Sequence, residues 1–521
     1  MTGKGVHGII FTDATANGSI WQRSIGAYRM ATEWRRMGLR IQVIDFWSFL
    51  VQEGVETVCL LLDKFVGSET LFVGFSTTFM NHGVEALYDP FFVRDANSLN
   101  SARSRGANAF STQEWKLRIV RDYIKAKNPR IDIVVGGAQA STRTDPIGDF
   151  RMFGFGEVHG RDYIEWKLGR KPFFSPKIVG DRNVRQLDYN SKADGFEFTE
   201  AYTQWEAEDC IQPNETLPIE ISRGCIFSCS FCSYPLNGKT KLDYLRSTEV
   251  LRAEFMRNYT LYGTTRYIFV DDTYNDTNDK LEWINEIRAT LPFDLRFATY
   301  ARLDLVAAKP EQIDLLKQNG LSHVFFGIET LNHSAGKSIG KGANPEKLVD
   351  TLHRCREAWG NDVLTTAGFI VGLPTETYAT LEKWLERIVD PFFPIHVPSL
   401  SALTISNWKT STKPWLSALD RDPEQHGYVL NQRGWWTNYV LGTSQEGCDA
   451  LVGEVMDYID ATGRASLAAH VAVSAEDYGL SKTDLVLAGR VGLMTRSVMV
   501  SAVYQRYVNY VNDLWRLPEY D

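Results

Sequence analysis

The stretch Glu220-Ile-Ser-Arg-Gly-Cys225-Ile-Phe-Ser-Cys229-Ser-Phe-Cys232 decides how the middle of the chain is interpreted. Its three cysteines directly follow the short apolar run 217–221, which predicts a buried strand. Gly224 permits a tight turn that brings the first thiol round. Three clustered thiolates can hold three irons of a cubane cluster and leave the fourth iron open.

A zinc knuckle is the alternative for this cysteine loop. Structural zinc is held by four protein ligands that close the site. The nearest further cysteine, Cys210, lies outside the loop, and no histidine falls between His159 and His323. Three ligands on one loop without an evident fourth favour an iron cluster with a vacant site over zinc.

Composition limits the broad class of protein. A chain of 521 residues predicts two or three domains. The net charge of -8 argues against unspecific coating of nucleic acid, which depends on phosphate neutralisation. Seven cysteines in this length do not form a disulfide framework. No membrane span or secretory signal is visible, so we expect a cytoplasmic protein without membrane contact.

The fold class predicted from hydrophobic periodicity is α/β, with strands and helices alternating along the chain. Strands are expected at 6–11, 41–44, 71–75, 131–135 and 151–155, and then six more between 217 and 405. We predict an N-terminal doubly wound parallel sheet, a central partial (βα)6 TIM-like barrel and a mainly helical C-terminal region. The expected boundaries are 1–165, a linker at 166–214, the barrel at 215–405, and 406–521.

The spacing Cys225-x3-Cys229-x2-Cys232, with Phe231 before the last cysteine, resembles the radical S-adenosylmethionine (SAM) superfamily over about residues 215–405. The resemblance implies a [4Fe-4S] cluster on the three cysteines, with SAM on the open iron. It further implies reductive cleavage of SAM to a 5′-deoxyadenosyl radical, which abstracts a substrate hydrogen. The cofactors carry this chemistry, while the protein supplies placement and excludes water.

Further positions match the order of the superfamily's motifs and lie at predicted strand ends, where such barrels hold their ligands. Asp271 and Asp272 would hold the SAM ammonium, since a carboxylate there is complementary in charge. Arg302 and Glu329 resemble positions near the SAM carboxylate and ribose. The expected cofactor-binding residues are Phe231, Asp271, Asp272, Arg302, Glu329, Gly372 and Pro374.

The N-terminal sheet resembles the cobalamin-binding domain found upstream of many radical SAM domains. Gly136-Gly137 follows its fourth strand and Gly156-Glu157 its fifth. The chain lacks the Asp-x-His-x-x-Gly motif, and it reads Gly136-Gly137-Ala138-Gln139 where many relatives read Gly-Gly-Pro-His. Cobalamin binding and a domain that only packs or recognises substrate both remain open. The loops to watch are 12–19, 76–82, 136–142 and 156–160.

The whole chain also looks like phage-encoded radical SAM proteins associated with DNA base hypermodification. On that resemblance, the leading hypothesis is an isomerase that rearranges an amino-acid-modified thymidine, acting in the host cytoplasm. The alternative is a cobalamin-dependent radical SAM methyltransferase on a small molecule or peptide. The expected partners are an electron donor of flavodoxin or ferredoxin type and DNA carrying a modified base.

A basic stretch gives the DNA hypothesis its local support. Six cations accompany one acid, Asp181, and aromatic residues are interleaved with them, as on surfaces that bind single strands. A solvated basic linker is the plainer interpretation. The residues concerned are Lys167, Arg170, Lys171, Lys177, Arg182 and Arg185 with Phe173 and Phe174, and Lys239 and Lys241 past the cysteine loop.

Overall fold

The computed structural model describes most of the chain, and all structural statements below concern that part. The described residues are 3–13, 23–51, 54–77, 80, 109–137, 147–152, 154, 156–172, 177–178, 185–187, 197–233, 244–405, 416–431, 435–462 and 494–520. Lys239, Lys241, Arg182, Phe173 and Phe174 therefore lie outside it, as do loop positions 14–19, 81–82 and 138–142. Among the helices of the described ranges, none combines the length and the apolar composition that crossing a bilayer requires.

The N-terminal sheet is parallel through its first five strands, as predicted. Its strands are β1 (Gly8–Phe11), β2 (Ile41–Ile44), β3 (Phe72–Ser76), β4 (Asp132–Gly136), β5 (Phe150–Met152), β6 (Lys177–Ile178) and β7 (Arg185–Leu187). The order across the sheet is β2-β1-β3-β4-β5-β7-β6, and only the edge pair β6–β7 is antiparallel. β1 to β4 are almost wholly buried, which explains why their sequences are continuous apolar runs rather than alternating ones.

Helices cover both faces of this sheet. They are α1 (Ile25–Arg36), α2 (Trp47–Leu50), α3 (Glu56–Phe65), α4 (Ala109–Lys127) and α5 (Gly156–Lys167). The predicted loop at 156–160 is wrong, because Gly156 and Glu157 begin α5. Glycine at the start of this helix is explained by packing, since a Cβ on Gly156 would stand 2.8 Å from Met30 of α1.

The central domain is a six-stranded, wholly parallel sheet in sequence order. Its strands are β8 (Leu217–Glu220), β9 (Arg266–Val270), β10 (Arg296–Ala301), β11 (Leu321–Glu329), β12 (Leu364–Val371) and β13 (Val397–Ala402). The helices between them are α6 (Thr248–Tyr262), α7 (Asn278–Ala289), α8 (Leu303–Ala308), α9 (Gln312–Gln318), α10 (His333–Ser338), α11 (Pro345–Trp359) and α12 (Tyr378–Val389). The predicted partial barrel is therefore confirmed.

Helix α11 shows how the sequence builds one of these units. The Asn344 side chain accepts hydrogen bonds from two backbone N–H groups of the first turn, and Pro345 occupies the first turn. The predicted stripe of Leu348, Leu352, Cys355 and Trp359 is buried against the sheet. Burial of large apolar side chains such as these contributes roughly 1.5–3 kcal/mol each.

The C-terminal region is helical with a small sheet. It contains α13 (Ala418–Arg421), the antiparallel strands β14 (Tyr428–Leu430), β15 (Trp436–Asn438) and β16 (Thr443–Ser444), then α14 (Gln445–Ala461) and α15 (Met494–Arg516). The small sheet was not predicted, since strands of two or three residues carry no readable periodicity. Tyr510 and Leu514 of α15 are buried beside the N-terminal sheet, so the chain's last helix returns to the first domain.

The domains share a core. One continuous apolar cluster runs from one face of the N-terminal sheet, through Trp205, into the barrel. Residues 166–214, predicted as a linker, contribute to this arrangement: β6 and β7 extend the N-terminal sheet, and Trp205 is fully buried. The domain boundaries remain predictions, but the described part of this segment packs against both neighbours.

Candidate functional site

The cysteine loop follows β8 at the carboxyl edge of the barrel sheet. Gly224 has φ 117°, a left-handed conformation that glycine adopts without steric cost, and it turns the chain away from the strand. The Ser230 N–H donates to the carbonyl of Ile339 at 3.3 Å, and the Ser230 carbonyl accepts from the Leu419 N–H at 3.0 Å. Backbone contacts from two distant segments therefore hold the loop in place.

The sulfur atoms of the loop receive hydrogen bonds. The Phe227 N–H donates to Cys225 Sγ at 3.4 Å, and Thr273 Oγ1 lies 3.3 Å from the same sulfur. Cys225 is buried, which raises the pKa of its thiol, while Cys229 and Cys232 are half-buried. Within the described residues, no group of three or more His, Cys, Asp or Glu side chains is arranged to hold a single metal ion.

Arg302 provides the cationic donor at this loop. Its Nη1 atom donates to Cys229 Sγ at 3.3 Å, and its guanidinium lies over the Phe227 ring at 3.9 Å. Asp304 pairs with the other edge of the guanidinium at 2.5 Å. The sequence predicted Arg302 near a SAM carboxylate, a role that stays a prediction. The structure places its charge against a thiol of the loop.

The two aspartates after β9 differ sharply in environment. Asp271 is fully buried and its Oδ2 lies 2.6 Å from Nζ of Lys280, which is also fully buried. Asp272 is exposed, and its charge adds to burial in raising the pKa of Cys225. Binding of the SAM ammonium by both carboxylates stays a prediction. The structure gives Asp271 a buried cation as partner and leaves Asp272 exposed on the side of the cysteine loop.

Glu329 ends β11 in a left-handed conformation, with φ 69°, which is rare for a residue with a side chain. Its Oε1 atom accepts from Lys341 Nζ at 2.7 Å, and the same ammonium donates to the Gly327 carbonyl at 2.7 Å. A Cβ on Gly340, next to Lys341, would stand 3.7 Å from the Cys229 Cα. Glu329, which the sequence predicted as a site residue, is therefore paired with Lys341, which it did not predict, and both lie beside the cysteine loop.

The turn after β12 is fixed from both sides. Gly372 has φ 95°, and Oε2 of Glu376 accepts from the N–H groups of Gly372 and Leu373 at 3.2 and 3.1 Å. Tyr428 Oη donates to the Gly372 carbonyl at 2.7 Å. A Cβ on Gly372 would stand 2.7 Å from the Trp436 ring, so the small C-terminal sheet presses directly on this turn.

Pro374 and Phe231 complete the predicted set. The Pro374 carbonyl accepts a hydrogen bond from Ser338 Oγ at 3.4 Å, and the Ser338 carbonyl accepts from Ser230 Oγ at 3.2 Å. Phe231 packs partly buried against the main core. The turn after β12 is thus linked through Ser338 to the cysteine loop, which brings residues 372–374 and 225–232 to one edge.

Glu376 is a functional candidate that sequence reasoning missed. Burial raises the pKa of its carboxyl to about 7, although Thr330 Oγ1, Trp384 Nε1 and two backbone N–H groups all donate to it. A glutamate directly after a Gly-x-Pro turn is the signal that could have identified it. Lys341 and Thr273 gave no comparable signal, because their partners are distant in sequence.

The carboxyl edge of the N-terminal sheet is only partly described. Gly137 has φ 95° after β4, and the Gly136 carbonyl accepts from Thr77 Oγ1 at 2.9 Å. Asp13, after β1, is buried and its Oδ2 accepts from the Ser48 N–H at 3.2 Å. These groups are small or already hydrogen-bonded.

The barrel and its cysteine loop define a class of protein. Residues 219–388 match the model of the Radical SAM superfamily, a segment that contains all three loop cysteines and the residues around them. About a third of the chain, including the cysteine loop, is therefore similar to the Radical SAM superfamily. The loop also fits an iron–sulfur cluster, because its cysteine sulfurs accept hydrogen bonds, as the sulfurs of such clusters commonly do.

One curated relative matches about a third of the chain. The hopanoid C-2 methylase of Rhodopseudomonas palustris is 29% identical over 182 residues, which is 34% of this chain and 34% of that protein. The chain thus matches about a third of that relative's length.

Two solved structures share nearly the whole fold. The radical S-adenosylmethionine methyltransferase TsrM from Kitasatospora setae, with tryptophan substrate and a SAM analog bound, has a TM-score of 0.57 and 14% identity, covering 96% of this chain and 99% of TsrM. The cobalamin-dependent S-adenosylmethionine radical enzyme OxsB, with aqua-cobalamin and SAM bound, has a TM-score of 0.56 and 12% identity, covering 97% of this chain and 72% of OxsB. The arrangement of an N-terminal parallel sheet, a partial barrel and a C-terminal region is therefore common to all three chains.

Proposed function

We propose that this chain is a cobalamin-dependent radical SAM methyltransferase. The observation that carries the proposal is the combination of a radical SAM domain with an N-terminal parallel sheet, in a fold shared along nearly its full length with TsrM and OxsB. The hopanoid C-2 methylase, which matches about a third of this chain, adds a relative that is named for methyl transfer. Together these favour the methyltransferase alternative from the sequence over the isomerase.

The residues at the barrel edge would divide the binding tasks. Cys225, Cys229 and Cys232 would hold the [4Fe-4S] cluster, which supplies the electron for cleavage of SAM. Asp272 would attract the SAM ammonium, since its exposed charge acts on Cys225. Gly372, Leu373 and the bracing carboxylate of Glu376 would form the rigid turn that a flat adenine ring approaches.

The N-terminal sheet would bind cobalamin at its carboxyl edge, as ligands of such sheets do. Gly136 and Gly137 at that edge permit close approach of a bulky ring. Cobalamin supplies a methyl carrier when bound. The chain's own contribution is to hold Glu157, which follows the carboxyl end of β5, 2.9 Å from Arg223 at the root of the cysteine loop. An electron donor of flavodoxin or ferredoxin type remains part of the proposal.

The test is reconstitution under anaerobic conditions with iron, sulfide and cobalamin, followed by reduction with a low-potential electron donor and addition of SAM carrying a labelled methyl group. Retention of stoichiometric corrinoid and transfer of the label to it, in the absence of any substrate, are expected. With a candidate substrate, the product should gain the mass of one labelled methyl group. A protein that retains no corrinoid, and whose product has the mass of its substrate, would instead be an isomerase.

A further inference from the structure

The cysteine loop is tied to the N-terminal domain through Arg223, two residues before Cys225. Its Nη2 atom lies 2.9 Å from Oε1 of Glu157, in the first turn of α5. The guanidinium also makes two hydrogen bonds, of 2.7 and 2.8 Å, to the Glu220 carboxylate at the end of β8. The Arg223 side chain therefore connects β8, the cysteine loop and helix α5.

The contact is buried and balanced in charge. Glu157 and Arg29 of α1 are 3.4 Å apart, and their side chains are only 6% and 4% exposed. Arg223 and Glu220 are 14% and 16% exposed. Two cations thus face the two anions Glu157 and Glu220 in a region largely screened from water, and the more exposed Glu33 lies 4.0 Å from Arg29. Burial acts to raise the pKa of Glu157, but the charges of Arg223 and Arg29 outweigh it and hold that pKa below its ordinary value.

The geometry makes Arg223 a rigid connection rather than a flexible surface pair. Its backbone N–H donates to the Tyr244 carbonyl at 2.9 Å, which fixes the chain at the root of the loop. The Phe198 ring covers the guanidinium at 4.9 Å. Because a guanidinium forms a planar fork, it fixes direction as well as distance, whereas an ammonium is a point charge.

We propose that Arg223 is a positioning residue: by holding Glu157, it fixes the cysteine loop relative to the N-terminal sheet, and so sets how efficiently the two cofactor sites act together. The proposal rests on the function proposed above. Misplacing two reacting centres by as little as about 1 Å costs rate heavily in enzymes generally. Loss of the Arg223 fork should therefore uncouple SAM cleavage from product formation.

The chain provides a matched control in Arg35. This α1 residue makes two hydrogen bonds, of 2.8 and 2.7 Å, to the buried carboxylate of Asp209, and its side chain is 11% exposed. It too connects the N-terminal domain to the segment before the barrel, but it touches a short 3-10 helix, Ala207–Asp209, and not the cysteine loop. If Arg223 only stabilised the fold, Arg223→Lys and Arg35→Lys would have the same effect on Tm, on the EPR spectrum and on the ratio of product formed to SAM cleaved.

The experiment compares both lysine variants with the wild type after reconstitution. Iron content, Tm, the EPR spectrum of the reduced protein with and without SAM, and the ratio of product formed to SAM cleaved are measured. We expect similar Tm losses for both. Only Arg223→Lys should alter the SAM-dependent change in the EPR spectrum. Its product ratio should fall on the order of tenfold or more, because small misplacements of reacting centres are costly.

Glu157→Gln, which leaves the loop sequence intact, should reproduce both effects and should not add to Arg223→Lys in the double variant. The proposal is overturned if Arg223→Lys and Glu157→Gln match Arg35→Lys in spectrum and ratio. A wild type that retains no corrinoid and transfers no methyl group would refute the proposed function, while the EPR comparison would still decide the role of Arg223.

Discussion

Arg302 Nη1 and Cys229 Sγ are joined by a hydrogen bond of 3.3 Å between residues that are 73 positions apart in the chain. The guanidinium is stacked on Phe227 and paired with Asp304, so its orientation is set by the loop itself and by the first turn of α8. A cation and an N–H donor at a cluster sulfur both favour the reduced, more negative state of a cluster. Arg302 is thus placed to adjust the ease of reduction.

Replacing Arg302 by Gln should therefore make the cluster harder to reduce, shifting its midpoint potential to more negative values. An EPR-monitored redox titration measures this directly, without any substrate. Arg387→Gln removes an arginine of α12 that pairs with Glu346 on the surface, and it should leave the potential unchanged. Equal potentials in wild type and Arg302→Gln would show that the hydrogen bond has no such effect.

Asp271→Asn and Asp272→Asn should affect different properties, the first the stability of the fold and the second the binding of SAM. Among the described residues, Asp271→Asn leaves Lys280 with one anion, Asp276 at 3.5 Å, and with hydrogen bonds to Ser222 and Thr273. Because the site is fully buried, we expect a loss of up to about 3–5 kcal/mol in the free energy of unfolding. Asp272→Asn should leave stability nearly unchanged and weaken SAM binding. Denaturant titration and equilibrium binding of SAM separate the two. Weakened SAM binding by a stable Asp271→Asn protein would support the role predicted from sequence.

Glu376 predicts a pH dependence of stability. Its carboxyl titrates near pH 4.5 when unfolded and near pH 7 in the folded chain. Between these values the folded protein holds the additional proton, so the free energy of unfolding falls as pH rises from about 4.5 to 7 and then levels off. The full effect is about 3 kcal/mol. The free energy of unfolding is measured for wild type and Glu376→Gln at pH 5 and pH 8. The variant should lack the part of the pH dependence that comes from the Glu376 carboxyl.

The nucleic-acid hypothesis also has a definite test. If DNA is the substrate, extrusion of a base from the stack requires phosphate contacts, and binding should weaken steeply as salt rises. Neutralising Lys239 and Lys241 together should reduce DNA turnover but not SAM cleavage without substrate. Absence of DNA affinity at low salt, together with equal turnover of a small molecule by the double variant, would eliminate DNA as the substrate.

The sequence predicted the strands and helices well for a physical reason. A fully buried parallel strand such as β1 is a continuous apolar run, and helices such as α11 carry one apolar stripe. Both patterns are local. The cysteine spacing is local as well, because the three ligands of the cluster lie within one short loop, and the radical SAM domain could therefore be predicted from the order of residues alone.

The polar contacts of the site were beyond sequence reasoning because they join distant elements. Nothing near Cys229 indicates that Arg302 donates to it, and nothing near Glu157 indicates Arg223. Asp271 and Lys280 are nine positions apart, and their pairing depends on the turn between β9 and α7. A carboxylate at a strand end predicts a ligand for SAM, and nothing in the sequence predicts the buried lysine that Asp271 also contacts.

The central claim is that Cys225, Cys229 and Cys232 hold a [4Fe-4S] cluster whose open iron binds SAM. The most direct measurement is ENDOR on the reduced, reconstituted protein with SAM labelled with ¹⁵N at its amino group. We predict a coupling from that nitrogen in wild type and in Cys59→Ala, and loss of the cluster in Cys229→Ala. Stoichiometric zinc in place of iron, or a cluster without coupling to the SAM nitrogen, would contradict the claim.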